Sequence, residues 1–509
     1  MPLRIMTTHL EFEGQITEQR FVMEGDEPAS WGPADDLSVV GKPIPRVDGR
    51  ERVTGGAKYT YDIQVPGMLY ASAVRSVHPH ARVTALDTSR AEAMPSVRAI
   101  FSRENAGELK DPNRGVAIFR DEVLYQGEEI ALVVAETLEQ AEDAVAAIKV
   151  TYEPLPFVTD DLIAEKPDAP KASTEAQTNV LDGYPKTYER GNVEAGLAAA
   201  DATVELRVET PCAVHNSMET HGTVASWDGR TLVAYVSTQD LYGSRRAIAA
   251  ALGLQQNQVN VICQYMGGGF GAKFGPHKSG LLAAYAAHRL GKPVHFMLSR
   301  EGENLAAGNR APTTQTYRAG AKKDGTMTAL ELRSLGNIGA MGGWYAPVAL
   351  AAKELYQCPN VRTIDVPVRT NLGTQASFRA PGVVEGTVGL ELMLDQLAYE
   401  IGMDPLAFRR KNYAENNQLL DGRPYAAKSL LRAYDIGAER IGWASRDSDE
   451  RRYPRGRSGA LRRGVGMASQ IWGGDGGPPA QALAKLLPDG TAVIVTGTQD
   501  IGTGTRTVL

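Results

Sequence analysis

QVNVICQYMGGGFGAKF, residues 258–274, joins an apolar strand to a loop with four glycines. A loop of this kind exposes backbone N–H groups and lets a ligand, most often a phosphate, approach the main chain closely. It is not a P-loop, because Ala272 stands where that motif requires glycine. Gly267, Gly269 and Ala272 match the GxGxxA dinucleotide fingerprint, but no acidic residue closes a second strand about 20 residues later. A purely structural turn stays open as an alternative.

Three further segments place polar or glycine-rich loops after apolar runs. TGTQDIGTGTRT (496–507) offers glycines and threonine hydroxyls suited to phosphate or a polar heterocycle. RTNLGTQASFRAPG (369–382) holds Arg379 between an aromatic residue and a Pro-Gly turn, and a guanidinium fixed in this way is a binding-site candidate. YVSTQD (235–240) places Gln239 between a strand and a helix. The two glycine loops suggest one long phosphorylated cofactor held from both ends. For the other two segments the alternatives stay open that Arg379 is an ordinary surface arginine and that Gln239 lies at an ordinary strand end.

The composition is that of a globular protein with more than one domain. The chain has 509 residues, 43% hydrophobic and 22% charged, which at about 150 residues per domain suggests three domains. Lys and Arg number 54 against 60 Asp and Glu, and this net charge of −6 argues against nucleic acid as a partner. The three cysteines, Cys212, Cys263 and Cys358, form no CxxC pair, so the chain cannot hold a four-cysteine iron–sulfur cluster.

Apolar periodicity predicts alternating strands and helices along most of the chain. The predicted strands are 69–76, 97–102, 129–136, 149–156, 203–210, 222–227, 231–238 and 258–264, and the predicted helices are 137–148, 241–253, 277–290 and 385–401. We expect residues 1–39 to be a polar arm without periodicity. We expect the arginine-rich segment 446–463 to be a solvated linker.

Two groups of histidines look like metal sites in the sequence. HPH (78–80) has no third ligand nearby, so a structural turn is favoured. His215, Glu219 and His221 form HxxxExH and not the HExxH pattern of zinc enzymes, so a structural role is favoured there too.

Taken together and in this order, these loops resemble the large molybdenum-binding subunit of the xanthine dehydrogenase/aldehyde oxidase family. VGKPIPRVDGRERVTGGAKYTYDI, RSVHPHARVTALDTS and VLYQGEEIALVVAE are similar to the family's small N-terminal α/β domain. STQ, GGGFGAKF, TN…FRAPG, ELMLDQLAYEIGMDPLAFRRKN and GTQDIGTGT are similar to its cofactor-domain motifs. The resemblance runs from about Val40 to Leu509, and the shared order of the motifs makes it specific.

The resemblance implies an α+β fold in four segments. They are an N-terminal arm (1–39), a hammerhead-type α/β domain (40–158), a first molybdopterin-binding α+β domain (159–440) and the truncated start of a second one (441–509).

The implied cofactor is molybdenum–molybdopterin, as the cytosine dinucleotide in most bacterial members. By position, Gln239 would lie beside the apical oxo group, the backbone around Phe270 would contact the metal centre, and Arg379 would lie at the metal shell. The other cofactor-binding residues that the resemblance implies are Gly268, Gly269, Gly271, Ala380, Gly502, Thr503, Gly504 and Thr505. No side chain would ligate molybdenum, because the pterin dithiolene holds the metal.

Departures from the family's branches bear on the substrate. Purine-oxidising members carry glutamate at the position of Phe274, arginine at Pro347 and a stacking aromatic residue at Pro381, and the CO-oxidising branch carries a cysteine where Ala376 stands. We therefore expect an aldehyde, oxidised to the carboxylic acid with oxygen from water. An N-heterocycle of the isoquinoline type is the alternative.

The resemblance also predicts that this chain does not act alone. The family's general base is a glutamate in a Gly-Glu motif near the C-terminus, and no glutamate follows Glu450 here. Three interpretations follow, in this order: a fragment of a longer chain, a split subunit completed by a second polypeptide, and an inactive truncation. In each case we expect no turnover from the 509 residues by themselves.

Electrons would leave through partner subunits. We expect a 2Fe–2S subunit and an FAD subunit, because this chain holds neither centre. A non-catalytic assembly or cofactor-carrier subunit is the alternative from another class. The N-terminus shows no export signal and no stretch reaches the about 20 apolar residues of a membrane span, so we expect a cytoplasmic protein, with co-export to the periplasm left open.

Overall fold

The computed structural model describes residues 3–12, 15–24, 32, 35–420, 422–425, 428–448, 458–473 and 482–509. Within these residues the chain forms sheets of seven, five and three strands, two-stranded ribbons, and helices that pack on the sheets. The predicted α+β class is confirmed. Four arginines of the predicted linker, Arg451, Arg452, Arg455 and Arg457, lie outside the described residues. No helix in the described ranges is long and apolar enough to span a bilayer.

The N-terminal segment differs from the polar arm predicted for residues 1–39. Strands β1 (Leu3–Phe12) and β2 (Gln15–Glu24) pair antiparallel over their whole length. Each strand contains three β-branched residues, which favour a pleated backbone. The alternation of apolar residues along them is weak, and this is why the sequence pattern did not reveal the hairpin.

A small α/β unit lies between residues 40 and 158. Its helices are α1 (Gly49–Val53), α2 (Ser89–Glu92), α3 (Arg103–Ala106) and α4 (Leu138–Ala147). Its strands are β3 (Leu69–Arg75), β4 (Ala81–Asp87), β5 (Val97–Ser102), β6 (Glu122–Val123), β7 (Glu129–Ala135) and β8 (Lys149–Pro154). Helix α4 begins at a capping box between Thr137 and Gln140 and packs its buried alanines against β3 and β7.

The segment from residue 159 to 440 supplies the remaining large elements. Its strands are β9 (Lys186–Arg190), β10 (Ala202–Thr210), β11 (Ala213–Val214), β12 (Gly222–Trp227), β13 (Leu232–Val236), β14 (Val259–Ile262), β15 (Val294–Met297), β16 (Asn309–Arg310), β17 (Thr313–Ala321), β18 (Met327–Asn337), β19 (Val361–Val368), β20 (Asn416–Asn417) and β21 (Arg423–Pro424). Its helices are α5 (Asp161–Ala164), α6 (Val193–Ala198), α7 (Leu241–Leu252), α8 (His277–Leu290), α9 (Arg300–Ala306), α10 (Leu350–Glu354), α11 (Val383–Glu400), α12 (Pro405–Lys411) and α13 (Leu430–Ile441).

The seven-stranded sheet runs through both of these units. Its order is β14-β13-β12-β15-β3-β7-β5, and β15 joins β3 in parallel, with Val294 opposite Leu69. One apolar core covers this sheet with residues from both units, among them Leu132 and Phe296. The division that the sequence suggests near residue 158 therefore runs through a continuous sheet.

The five-stranded sheet has the order β10-β17-β18-β19-β9 and carries the long helix α11 on β10 and β17. The buried Tyr317 hydroxyl donates a hydrogen bond to the carbonyl of Gly386 on α11, at 2.9 Å. Arg409 of α12 is fully buried and donates to the carboxylates of Glu391 (2.8 Å) and Asp395 (2.6 Å) on α11. This buried pairing explains the charged residues within the apolar segment ELMLDQLAYEIGMDPLAFRRKN.

The last described segment forms a two-stranded antiparallel ribbon, β22 (Ala482–Leu486) with β23 (Ala492–Thr496), and a short helix α14 (Thr505–Val508). All ten residues of the ribbon are exposed, including Ile494 and Leu486.

Most predicted elements lie where the sequence places them. Every predicted strand and helix has an observed counterpart whose ends differ by two residues or fewer, and β5, β12 and α8 match their predicted bounds. Strands β17, β18 and β19 were missed. They carry buried polar residues such as Thr313, Gln315 and Ser334, which hide the apolar pattern.

A buried ion cluster joins the two units beneath the shared sheet. Lys278 of α8 lies 3.3 Å from Glu129 and 4.0 Å from Glu128, and Arg75 of β3 lies 2.9 Å from Glu129. Burial alone raises the pKa of Glu129, but the charges of Lys278 and Arg75 lower it to about 2. Because the folded pKa is depressed, this contribution to stability is present above the ordinary value of 4.5 and is lost as the pH falls towards 2.

We expect Lys278→Met to lower the free energy of unfolding by about 3 kcal/mol, because it removes one of the two cations that pair with the buried Glu129 and leaves only Arg75 to offset its charge. Urea unfolding at pH 7 measures the change. Lys292→Met, at an exposed position just after α8, is the control and should stay within about 0.5 kcal/mol of wild type. Equal stability of the two variants would contradict the role given to the cluster.

Candidate functional site

The Gln239 segment and the glycine loop lie side by side because they follow β13 and β14, which are parallel neighbours. Tyr235 of β13 pairs with Ile262 of β14, so the chain leaves both strands at the same edge of the sheet. Gln239 follows β13, and the glycine loop (residues 267–271) follows β14. The sheet thereby brings together two segments that the sequence places about 30 residues apart.

Gln239 is held in one orientation by the end of the glycine loop. Its side-chain Oε1 accepts hydrogen bonds from the N–H groups of Gly271 (2.8 Å) and Lys273 (3.3 Å). Its own backbone N–H donates to the carbonyl of Lys273 at 2.7 Å. Since the oxygen is engaged twice, the NH₂ group of the same amide faces away from these two N–H groups, and it has no partner among the described residues.

Three glycines of the loop occupy positions that leave no room for a side chain or that disfavour one. A Cβ on Gly269 would lie 2.5 Å from Oε1 of Gln239, and a Cβ on Gly271 would lie 2.5 Å from the carbonyl oxygen of Ser377. Gly268 and Gly271 have φ of 101° and 108°, and Phe270 between them has φ of 54°. Side chains are therefore excluded from three of these positions by conformation, by contact or by both.

Three consecutive N–H groups of this loop have no hydrogen-bond partner within the described chain: those of Gly268, Gly269 and Phe270. The neighbouring N–H groups are all taken, since Gly267 donates to Glu219 and Ala272 donates to Gly269. The unpaired N–H groups and the NH₂ group of Gln239 form a set of donors, which fits a ligand rich in anionic or oxo oxygens.

The predicted arginine lies on a strained turn that touches the glycine loop. The N–H of Arg379 donates to the carbonyl of Phe270 at 2.8 Å, and Arg379 and Ala380 have φ of 25° and 60°. Arg310 holds the turn by donating to the carbonyl of Arg379 at 2.9 Å and to Glu385 at 2.6 Å. The Arg379 guanidinium itself is exposed and makes no ion pair with a described residue, so it is available to an anionic ligand.

Two of the three predicted substrate-pocket residues lie together. Gly382 packs so closely on Pro347 that a Cβ there would lie 2.5 Å from its nitrogen, which places Pro347 against the turn that contains Pro381. Phe274 lies at the end of the glycine loop with 47% of its surface exposed. The three residues are uncharged, so no acid or arginine stands at these positions.

The glycine-rich segment 496–507 lies beside the Gln239 segment, but two of its N–H groups already have hydrogen-bond partners. Gln499 donates to the carbonyl of Thr238, next to Gln239. Asp500 accepts hydrogen bonds from the N–H groups of Gly502 (2.8 Å) and Gly504 (3.3 Å). Those two donors therefore serve the loop itself, and the hydroxyls of the exposed Thr503 and the half-buried Thr505 share a hydrogen bond of 3.2 Å.

The sequence did not predict that charged residues contact and support the glycine loop. Lys273 is fully buried and donates to the carbonyl of Glu219 (2.8 Å) and to Ser237 (2.7 Å). Burial lowers the pKa of Lys273. His221 lies 2.9 Å from Glu303, and although burial raises the pKa of that carboxyl, the hydrogen bond with His221 lowers it to about 2. The sequence singled out Glu219 and His221 only as possible metal ligands, and Lys273 only by its position directly after the glycine loop.

Neither histidine group forms a metal site within the described residues, where no cluster of three or more His, Cys, Asp or Glu side chains is found. His80 lies between Glu122 and the carbonyl of Pro156, and His78 packs on the ring of Tyr152. The structural interpretation of the HPH sequence agrees with these contacts.

A cavity of about 1030 Å³ lies between the two units. Tyr61, His295, Arg300 and Gly267 are among its lining residues, whereas Gln239, Phe270 and Arg379 are not. The free donors of the candidate site are therefore on a different side of the glycine loop.

Comparison with known proteins agrees with this arrangement. The aldehyde oxidase and xanthine dehydrogenase a/b hammerhead domain matches residues 54–156, and the molybdopterin cofactor-binding domain matches residues 173–413 and again 437–509. The aldehyde oxidoreductase molybdenum-binding subunit PaoC of Escherichia coli (strain K12) is 31% identical over 492 residues, which cover 96% of this chain and 65% of that protein.

Two further relatives extend the comparison. The nicotinate dehydrogenase large molybdopterin subunit of Eubacterium barkeri is 31% identical over 427 residues, covering 80% of this chain and 98% of that protein. The crystal structure of aldehyde oxidoreductase from Desulfovibrio gigas superimposes with a TM-score of 0.78 at 27% identity, covering 90% of this chain and 52% of that one. The chain belongs to the xanthine dehydrogenase/aldehyde oxidase family, among its molybdenum-binding large subunits. It spans 65% of the length of the Escherichia coli relative.

We expect Gly271→Ala to push the Arg379 turn away from the glycine loop and to lower the molybdenum content of the purified enzyme. The added methyl group meets the Ser377 carbonyl at 2.5 Å, in a backbone region that costs a non-glycine residue about 1–2 kcal/mol. Gly291→Ala is the matched control, because its φ of 59° is also positive but no atom lies within 4 Å of the new Cβ. Metal analysis should separate the two variants, and equal molybdenum content would contradict the close fit.

Proposed function

We propose that the enzyme built around this chain oxidises an aldehyde to a carboxylic acid at a molybdenum–molybdopterin cofactor. Water supplies the oxygen, so that aldehyde and water yield acid, two electrons and two protons. The observation that carries the proposal is the donor set at the end of β13 and β14: three unpaired N–H groups, the NH₂ group of Gln239 and the exposed guanidinium of Arg379. The cytosine dinucleotide form of the cofactor is part of the proposal.

When bound, the cofactor supplies the centre that accepts two electrons from the substrate carbon. The N–H groups of Gly268, Gly269 and Phe270 would bind its oxygen atoms, and Gln239 would donate a hydrogen bond from a side chain whose oxygen is held by two N–H groups. Arg379, whose backbone is bonded to the glycine loop, would add a positive charge. The backbone donors and Gln239 are held before any ligand arrives, so binding costs little reorganisation.

The proton chemistry needs a base outside these two loops. Glu219 accepts hydrogen bonds from Gly267 and Ser237, and Glu385 is paired with Arg310. Neither carboxylate is free to remove a proton from a bound substrate or water. We propose that the general base lies elsewhere in the assembled enzyme.

The substrate preference follows from Phe274, Pro347 and Pro381. Three uncharged side chains, one of them aromatic, suit the carbon skeleton of an aldehyde and offer a purine no acid or arginine to pair with its polar edge. N-heterocycle hydroxylation is the second candidate function, because a relative of 31% identity is a nicotinate dehydrogenase subunit.

Electrons must leave this chain. Its three cysteines cannot supply the four thiolates of a 2Fe–2S cluster, and in the structure they are free and exposed, half-buried or buried at separate places. We propose a 2Fe–2S subunit as the first acceptor and an FAD subunit behind it.

The assembled enzyme should contain molybdenum and reduce an electron-accepting dye when an aldehyde is added. In water enriched in ¹⁸O, one labelled oxygen should enter the acid. The kcat/KM for benzaldehyde should exceed those for nicotinate and xanthine. A higher value for nicotinate would establish the second candidate, and an enzyme without molybdenum would end the proposal.

We expect Gln239→Glu to lower kcat about 10²-fold, as the loss of one preorganised donor does in other enzymes. The new carboxylate keeps an oxygen for the N–H groups of Gly271 and Lys273, so the loop should keep its conformation. Gln258→Glu, remote from the site on the Gln256–Gln258 turn, should retain wild-type kcat. Full activity of Gln239→Glu would show that its NH₂ group is not used.

A further inference from the structure

The segment HNSMETH (215–221), called the tether segment below, contacts both loops of the candidate site. At its first residue, Nε2 of His215 lies 2.7 Å from the carbonyl of Ser377, and the His215 ring packs on Phe378 with ring centres 4.3 Å apart. Burial lowers the pKa of His215, so the neutral ring donates to the carbonyl. The tether segment therefore holds the turn that carries Arg379.

The middle of the tether segment holds the start of the glycine loop. Glu219 and Gly267 exchange two hydrogen bonds: the Glu219 N–H donates to the Gly267 carbonyl at 3.1 Å, and the Gly267 N–H donates to Oε2 of Glu219 at 2.8 Å. The contact is so close that a Cβ on Gly267 would lie 2.4 Å from that of Glu219. Ser237 and Lys273 bond to the same residue, so its carboxylate is fixed.

The last residue of the tether segment holds the end of the glycine loop. Nε2 of His221 lies 3.2 Å from the carbonyl of Ala272, and Nδ1 lies 2.9 Å from Glu303. The His221 N–H also donates to Glu303 at 2.8 Å. His221 is 1% exposed, so these bonds are shielded from water.

We infer that His215, Glu219 and His221 are positioning residues that set the separation between the glycine loop and the Arg379 turn. The two loops follow strands of different sheets. The hydrogen bond from the Arg379 N–H to the Phe270 carbonyl joins them directly, but one such bond is not enough to hold two strained turns in place. The tether segment adds contacts to both loops from a single stretch of seven residues, whereas Arg310 and Gln239 each hold one loop. This inference rests on the proposed function, because the loops matter as the two sides of a cofactor site.

Each tether residue has a variant that removes its contact and little else. His215→Phe keeps a ring against Phe378 but cannot bond to Ser377. Glu219→Ala removes the carboxylate that accepts from Gly267 and Ser237. His221→Gln removes the ring between Glu303 and Ala272.

Two buried residues of the same types serve as matched controls. His80→Gln removes a ring that likewise lies between a carboxylate and a carbonyl, those of Glu122 and Pro156, in the small α/β unit. Glu354→Ala removes a buried carboxylate that accepts from Asn417 and Tyr425. Neither control residue touches the two loops, whatever its effect on the stability of the protein.

Hydrogen exchange of the purified full chain tests the inference without reference to activity. In His215→Phe, amides of residues 376–382 should exchange about tenfold faster while those of 266–274 stay near wild type, and Glu219→Ala and His221→Gln should show the reverse pattern. Both controls should leave both segments unchanged. In the assembled enzyme, the tether variants should carry less molybdenum and show about tenfold lower kcat with KM unchanged.

Wild-type exchange in both loops of all three tether variants would overturn the inference, as would equal acceleration in the controls. If the Glu219 or His221 variant fails to fold, His215→Phe decides the test, because it keeps a ring packed on Phe378. A wild-type enzyme without molybdenum would overturn the proposed function only, and the exchange pattern would still decide whether the segment positions the loops.

Discussion

The close fit of the glycine loop between Gln239 and Ser377 is the constraint on which the site depends. Gly269 and Gly271 meet these residues at distances that leave no room for a side chain. Because the loop is so confined, its N–H groups can point in few directions. Some are used to hold Gln239, and the three that remain form a consecutive set of donors. A site of this kind is prepared before its ligand binds.

The strain in the site is offset by buried charges beneath it. Phe270, Arg379 and Ala380 adopt positive φ values that non-glycine residues avoid. Arg310 with Glu385, and Lys273 with Glu219, bind the carbonyl or N–H groups of the same loops from below. Charges placed there are costly to bury, and their value lies in fixing one conformation of the backbone.

The sequence was most informative where local pattern and structure coincide. Helix α8 ends at Gly291 as its glycine and the following Lys-Pro predict, and the capping residues of α4 and α7 do what their types favour. It was least informative for β17 to β19, where polar side chains are buried: Gln315 and Tyr317 donate to carbonyls of α11, and Ser334 bonds to Tyr345. It also gave no sign that one sheet continues from β15 into β3.

By itself, the sequence determined which segments could form the site: it placed glycines where φ must be positive, and its three cysteines excluded a four-cysteine iron–sulfur cluster within these 509 residues. Only the tertiary structure decided which donors are free. The N–H groups of Gly502 and Gly504 look as available in the sequence as those of Gly268 and Gly269, yet Asp500 occupies the first pair. That difference depends on hydrogen bonds set by loop conformation and by contacts between residues far apart in the chain, which no local pattern contains.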